Sequence, residues 1–229
     1  MIQVTNLIKN FGSGEVVTKV LRGINLHITK GEFVAIQGKS GAGKSTLLYQ
    51  MSILDMPTSG QIILDGINTE NFTETERTDF RLNRLGYIFQ DYALIPELSA
   101  VENVVLPILM LGTEKRAALE QAMTALDAVG LGHRHDNLPS QLSGGEQQRV
   151  SIARAIAHTP DILFADEPTA NLDSVSGEEV MRVINELHNK NGQTIVMVTH
   201  EPEYAAYADR LIEIQDGMIV SDKQQKGAH

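Results

Sequence analysis

Apolar and polar residues alternate near the start of the chain and later give way to short solid apolar blocks, which separates half-exposed strands from fully covered ones. Ile2 and Val4 alternate with polar neighbours, as do Ile24, Leu26 and Ile28, so residues 1–28 predict sheet, interrupted by a turn at Gly12-Ser13-Gly14-Glu15. Phe33 to Ile36 and, after a leading polar residue, Asp161 to Ala165 and Thr194 to Val198 are apolar blocks of strand length, the pattern of strands buried on both faces. Pro57 to Gly60 predicts a turn, Gln61 to Gly66 a short strand ending in another turn, and Gly86 to Phe89 a strand that ends at Gln90. Leu211 to Ile214, the Asp216-Gly217 turn and Met218 to Val220 predict a closing hairpin, followed by a frayed polar tail from Ser221.

Helical spacing fills the gaps between these strands. Thr46-Leu47-Leu48-Tyr49 opens a helix, and Thr73 to Asn83 predicts a polar, exposed one in which Thr73 and Glu76 have the spacing of a capping box. From Asp91 to Pro139 no strand pattern competes with helix, and Lys115 to Val129 places Ala118, Leu119, Ala122, Leu126 and Val129 on one face. This predicts a helical lobe inserted between parallel strands. Gly177 to Asn189 is amphipathic, with Val180, Ile184 and Leu187 inward, and completes a strand-helix rhythm that predicts an α/β fold.

The 229 residues suffice for one domain with lobes and a substantial core. The absence of cysteine excludes disulfides, thiolate catalysis and Cys-ligated zinc, and suits a cytosolic setting. With 29 acidic against 19 basic residues the net charge is -10, which argues against a nucleic-acid surface and against binding anionic lipid by charge. No charged-then-apolar leader is expected, and the longest apolar run, Val104 to Leu111, is broken by Pro107 and too short to span a bilayer. Direct membrane insertion is therefore not expected; any membrane association is expected to run through a protein partner.

One stretch organises the chemistry. Gly38, Lys39, Ser40, Gly41, Ala42, Gly43, Lys44, Ser45 and Thr46 fit G-x-x-x-x-G-K-[ST] between a predicted strand and a predicted helix. Glycines let backbone N–H groups wrap a polyanion, the helix start is partially positive, and the Lys and the Ser hydroxyl serve phosphate and Mg²⁺. Downstream, Asp166 and Glu167 end an apolar strand, where open α/β sheets bind ligands. Asp166 is placed to hold Mg²⁺, mostly through water, and Glu167 to orient an attacking water as general base; without the phosphate loop the pair would read as an acidic turn capping a helix. His200 follows a neighbouring strand, and Gln90 offers an amide oxygen to Mg²⁺ or water, or else is plain surface polarity. Ser143, Gly144 and Gly145 form a helix start that is either an anion site or a capping box between Ser143 and Glu146, which are compatible. Phe11 either stacks on a nucleotide base or packs under the sheet.

In order along the chain, GKSGAGKST, Gln90, LSGGEQQR, ILFADEP, Asn171-Leu172-Asp173 and His200 resemble the ATP-binding subunit of an ATP-binding cassette (ABC) transporter. The text from Phe89 to Gly112 further resembles the branch that serves lipoprotein release, macrolide or peptide export. The resemblance implies a P-loop NTPase of ABC type, α/β with a mixed, mainly parallel sheet core, an antiparallel β lobe and an inserted helical lobe. Residues 1–90 and 158–221 would form the core with the β lobe, about 91–157 the helical lobe, and 222–229 a tail.

It also implies a head-to-tail dimer with ATP held between the phosphate loop of one copy and Ser143, Gly144 and Gly145 of the other. Carried over, Lys44 contacts the β- and γ-phosphates, Ser45 and Gln90 ligate Mg²⁺ with support from Asp166, Glu167 orients water, His200 senses the γ-phosphate and Asp173 bridges the subunits. The expected partner is an integral membrane permease, met through Gln90 to Val104 and the helical lobe, which would place the chain in the cytoplasm, peripheral on the inner face of the membrane.

The sequence departs from the family pattern at a few positions. Phe11 stands where Tyr is usual, Lys39 where Pro is usual, Glu146 for the commoner Gln, and Gln50 where this branch has an apolar residue. Two other readings compete. A soluble relative acting on DNA or ribosomes would be expected to carry a coiled-coil insertion or a second cassette, and a nucleotide-dependent regulator without turnover would not need Lys44, Asp166, Glu167 and His200 together.

Overall fold

A computed structural model describes residues 1–12 and 17–225, so Ser13, Gly14 and Glu15 of the expected turn lie outside the described residues. The strands are β1 (Ile2–Phe11), β2 (Thr18–Ile28), β3 (Phe33–Gln37), β4 (Ser59–Leu64), β5 (Ile67–Asn68), β6 (Leu85–Ile88), β7 (Ile162–Asp166), β8 (Thr194–Val198), β9 (Arg210–Gln215) and β10 (Met218–Gln224). The helices are α1 (Lys44–Met51), α2 (Glu74–Arg84), α3 (Ala100–Met110), α4 (Lys115–Ala128), α5 (Gly144–Ile156), α6 (Ser174–Asn191) and α7 (Pro202–Ala205), with a 3-10 turn at Pro139–Gln141.

Two sheets form. One is antiparallel with order β2-β1-β4-β5; the other runs β10-β9-β3-β8-β7-β6 and is parallel except for β10. The solid apolar blocks explain the second sheet's central position. Alternate residues of β3, β7 and β8 point to opposite faces, and both faces are covered. Phe33, Ala35, Leu163, Ala165, Ile195 and Met197 pack on the helical side with α3, α4, α5 and α6. Val34, Ile36, Ile162, Phe164, Val196 and Val198 pack on the other side with α1 and the antiparallel sheet.

Several boundaries differ from the sequence expectation. Ser59 and Gly60 open β4 because Gly60 runs against β1: a Cβ there would lie 2.4 Å from the Asn6 carbonyl oxygen. β6 stops at Ile88, leaving Gln90 in a turn. Residues 91–99 are not helical; Tyr92 and Ala93 have φ of 59° and 51°, and α3 begins only after the Ser99/Glu102 capping box. α6 starts at Ser174, ahead of Gly177, because the Asp173 carboxylate accepts the Val175 and Ser176 amides at 3.0 Å each. The expected frayed tail is strand to Gln224, held by Asp222, which accepts the Arg210 guanidinium at 2.6 and 2.7 Å.

Arg210 ties three elements together, since it also donates to His27 O at 2.8 Å and to Glu32 at 3.1 Å. Burial pushes the Glu32 carboxyl up, but the Thr29 amide and hydroxyl and Arg210 outweigh it and hold it below the usual range; Arg210 likewise lowers Asp222. Arg210→Leu should destabilise by about 2 kcal/mol at neutral pH, mainly by stranding Glu32, since Asp222 is more exposed. Both carboxylates are depressed on folding, so their contribution is present above pH ~4 and lost below it as they protonate. Urea unfolding from pH 7 to pH 3 should therefore show the difference between variant and parent shrinking in acid.

Candidate functional site

The site assembles at the C-terminal ends of β3, β7 and β8. Residues 38–43 leave β3 and lead into α1, whose N-cap Gly43 has φ 100° and supplies no side-chain cap. The first-turn amides therefore stay available to an anion. The loop is held from outside: Ala42 O accepts the Gly217 amide at 3.1 Å, and Ala42 N donates to Lys39 O at 3.1 Å. Lys44 is buried, with Nζ donating to Gly38 O at 2.9 Å and Lys39 O at 3.3 Å, so its ammonium curls back over the loop. Lys39, Ser40 and Gly41 are exposed, Thr46 half-buried.

β7 carries Asp166 to the first turn of α1, where Ser45 Oγ donates to Asp166 Oδ1 at 2.9 Å. Asp166 is 4% exposed. Burial pushes its carboxyl up and the Glu167 charge adds to this, against hydrogen bonds from Ser45 and Tyr49 and the Lys44 charge. Tyr49, on α1, is a partner the sequence did not reveal, and its own hydroxyl is pushed up by burial and by Asp166. Glu167 adopts φ 45°, its amide donating to Val198 O at 2.9 Å. Glu167 Oε2 lies 3.1 Å from His200 Nδ1.

Ser45 Oγ and Asp166 Oδ1 are an oxygen donor pair suited to a hard cation such as Mg²⁺. Among the described residues no group of three or more His, Cys, Asp or Glu side chains is arranged to hold a metal. Gln90 is exposed in its turn; its carbonyl accepts Asn171 Nδ2 at 3.1 Å, and no hydrogen bond joins its side chain to Ser45 or Asp166.

Ser143, Gly144 and Gly145 form a second helix start, on the other side of the sheet. Ser143 Oγ accepts the Glu146 amide at 3.3 Å and Glu146 Oε2 accepts the Ser143 amide at 2.9 Å, so the capping box is formed; Arg134 Nε donates to Glu146 at 3.0 Å. Gly145 is packed too closely for a side chain, and Gly144 only tightly. A Cβ on Gly145 would lie 2.9 Å from the Ser176 Cβ, and one on Gly144 3.0 Å from the Tyr92 hydroxyl. Ser143 is exposed, and no hydrogen bond among the described residues joins 143–145 to 38–46. Asp173 serves as the α6 N-cap, its carboxyl held low by the Ser176 amide and hydroxyl.

Phe11 does not pack under the sheet: it is 46% exposed, with Lys9 Nζ 4.9 Å from its ring centroid. Gln50 is fully buried and donates to Asp55 Oδ2 at 2.9 Å. Arg154, which lies in no sequence motif's signature positions, donates to both Tyr92 O and Ala93 O, and Asn103 bonds Ile95, Leu98 and Ser99, so the 92–99 loop is clamped to the helical lobe.

The profile of the family described as ABC transporter matches residues 21–170. The macrolide export ATP-binding/permease protein MacB of Campylobacter fetus subsp. fetus is 48% identical over 225 residues, 98% of this chain but 35% of that protein. The lipoprotein-releasing system ATP-binding protein LolD of Shewanella frigidimarina is 46% identical over 219 residues, 96% of this chain and 92% of LolD. The chain thus spans about a third of the MacB relative and nearly all of the LolD one. Among solved structures, the dimeric post-hydrolysis state of the ATP-binding cassette MJ0796 bound to ADP and Pi aligns with a TM-score of 0.92 at 38% identity, covering 99% of this chain and 100% of that one.

A Cβ at Gly38 would lie 2.2 Å from the Ile214 carbonyl oxygen, which is strand backbone and has no room to yield. Gly38→Ala should therefore cost about 3 kcal/mol and deform the phosphate loop. Thermal unfolding should report the loss, and calorimetry should show tripolyphosphate binding falling with it.

Proposed function

The chain belongs to the ABC transporter family as an ATPase domain of that type, and we propose that it binds and hydrolyses ATP in a head-to-tail dimer that drives a membrane permease. One observation carries the dimer: the two helix starts fit for anions, at Gly43 and at Ser143, lie on opposite faces of the sheet, and at the second Ser143 is exposed, with Gly144 half-buried and Gly145 buried. A triphosphate at the phosphate loop is completed by Ser143, Gly144 and Gly145 of a second copy. The dimeric cassette bound to ADP and Pi, 38% identical, supports a dimer.

On binding, Lys44 exchanges its two carbonyl partners for the β- and γ-phosphates, and the loop amides take the remaining phosphate oxygens. Phe11 stacks on the base. Ser45 and Gln90 would hold Mg²⁺, with Asp166 behind Ser45, and the ion would supply positive charge against the phosphate. Glu167 accepts a proton from the attacking water, and His200, already 3.1 Å from that carboxylate, turns its ring to the γ-phosphate. Asp173 meets the second copy across the closed interface. Closure excludes water and completes the cage of donors; hydrolysis removes the ligand that both copies share.

The permease reading is supported by the relatives, one of which carries ATP-binding and permease functions in one name. Among the described residues no helix is long and apolar enough to cross a membrane. The chain works in the cytoplasm, peripheral to the inner face of the membrane, with lipoprotein release or macrolide export as the transport class. An apolar groove of about 320 Å³ between the core and the helical lobe, lined by Leu54, Tyr87, Leu106 and Met110, takes a permease segment beside the clamped 92–99 loop. Residues 1–90 with 158–221 act as the nucleotide core and about 91–157 as the lever.

Two measurements test this. Glu167→Gln should lower turnover at least a hundredfold and form a dimer with ATP and Mg²⁺ in size-exclusion chromatography; a variant that binds ATP yet stays monomeric at high concentration contradicts the reading. Met110→Glu, on the groove, should leave basal phosphate release unchanged and remove stimulation by the reconstituted permease.

A further inference from the structure

Lys9 and Phe11 lie two residues apart on β1 and so project from the same face of the strand. The Lys9 side chain is only 12% exposed, and its ammonium is pinned by Asp55 Oδ2 at 2.7 Å and Met56 O at 2.6 Å. Asp55 is fixed in turn: its carboxylate accepts the Met56 amide at 2.7 Å and the buried Gln50 amide at 2.9 Å. From this anchored position Lys9 Nζ stands 4.9 Å from the Phe11 ring centroid. The register also shifts between Lys9 and Asn10 against β2, a local irregularity at this point.

We infer that Lys9 is the positioning residue of a base-binding platform: it backs one face of the Phe11 ring and leaves the other for the purine of a bound nucleotide. The inference rests on Phe11 being the base-stacking residue. A desolvated cation over an aromatic face is attracted more strongly than an exposed one, so the ring is held in one orientation before any ligand arrives. Drawing π density toward the cation also makes the free face a better partner for an electron-rich purine. The phenolic hydroxyl that Phe11 lacks is not needed for either effect.

The anchor also joins the base platform to the phosphate cradle. α1 begins at the cradle with Lys44, and its Gln50 orders the Asp55-Met56 segment that grips Lys9. On the strand side, Leu21 is the register partner of Lys9, and its side chain would lie 3.1 Å from a Cβ on Gly43. The helix and the β1–β2 hairpin thus set base and phosphate sites on one rigid frame. This gives Gln50, buried where an apolar residue is usual, a definite task.

Calorimetric titration with ADP, and with tripolyphosphate as a base-free probe, tests the assignment. Phe11→Leu and Lys9→Met should each weaken ADP, Lys9→Met by about three- to tenfold, with tripolyphosphate affinity unchanged. Lys9→Arg should retain ADP affinity, and Lys9→Met added to Phe11→Leu should cause no further loss. Because Lys9→Met strands Asp55, the pair Lys9→Met/Asp55→Asn provides a charge-balanced variant, which should recover the melting temperature but not the ADP affinity. Equal losses for ADP and tripolyphosphate, no loss for ADP, or recovery of ADP affinity in the balanced pair would each overturn the role of Lys9. An unchanged ADP affinity in Phe11→Leu would instead refute the base-stacking reading on which it rests.

Discussion

Burying the Asp166 carboxylate at the end of β7 disfavours its charged form, and the groups that offset this fix the geometry of the site. At 4% exposure the acid has little water to turn to. Ser45 reaches it from the first turn of α1 at 2.9 Å, and Tyr49 on the second turn also favours its charged form. The requirement acts on the loop as well: α1 keeps its place only if residues 38–43 close the gap from β3 within six residues. Gly38 makes this possible by passing hard against β9, where a Cβ would meet Ile214 O at 2.2 Å. One buried acid therefore constrains a strand, a loop and a helix together.

The same strand ends would be useless without a sheet stiff enough to hold them. Residues of β3, β7 and β8 are buried on both faces, so a shift by one residue in any of them would exchange two packed layers at once. Glu167 shows how the scaffold spends that rigidity. Its φ of 45° is an unfavourable conformation for a non-glycine residue, kept because its amide is committed to Val198 O on the neighbouring strand. Of the two adjacent carboxylates, one lies beside Ser45 and the other beside His200.

Most of this was legible in the chain itself. Solid apolar blocks announce strands covered on both sides, and G-x-x-x-x-G-K-S between such a strand and a helix reads as a phosphate loop. What escaped sequence reasoning depends on distant partners. The frayed tail expected after Val220 is strand because Arg210, polar and unremarkable in one dimension, finds Asp222 twelve residues on. The 91–99 segment carries no helix because Arg154 and Asn103 hold its carbonyls from elsewhere, although the Ser99-to-Glu102 spacing marks where α3 begins. Tyr49 looked like any residue of a helix, and only the fold brings its hydroxyl to Asp166. Phe11 was open between two readings, and only the fold shows that its ring is exposed instead of packed under the sheet.

The two anion-ready helix starts obey the same electrostatics but are finished differently. Gly43 offers no side chain to its helix, so the amides of α1 are left to whatever the loop encloses. Ser143 and Glu146 satisfy each other's amides at α5, and Glu146 brings a carboxylate, tied to Arg134, to a terminus that would otherwise attract anions more strongly. The first terminus is thus suited to hold a polyanion by itself. The second, part-neutralised and pressed through Gly145 against Ser176 of α6, is suited to add the last few interactions and to let go. On the proposed dimer reading, that asymmetry is what allows a nucleotide to stay with one copy while the other departs. A second terminus as strong as the first would hold the products too, and the two copies would part only slowly.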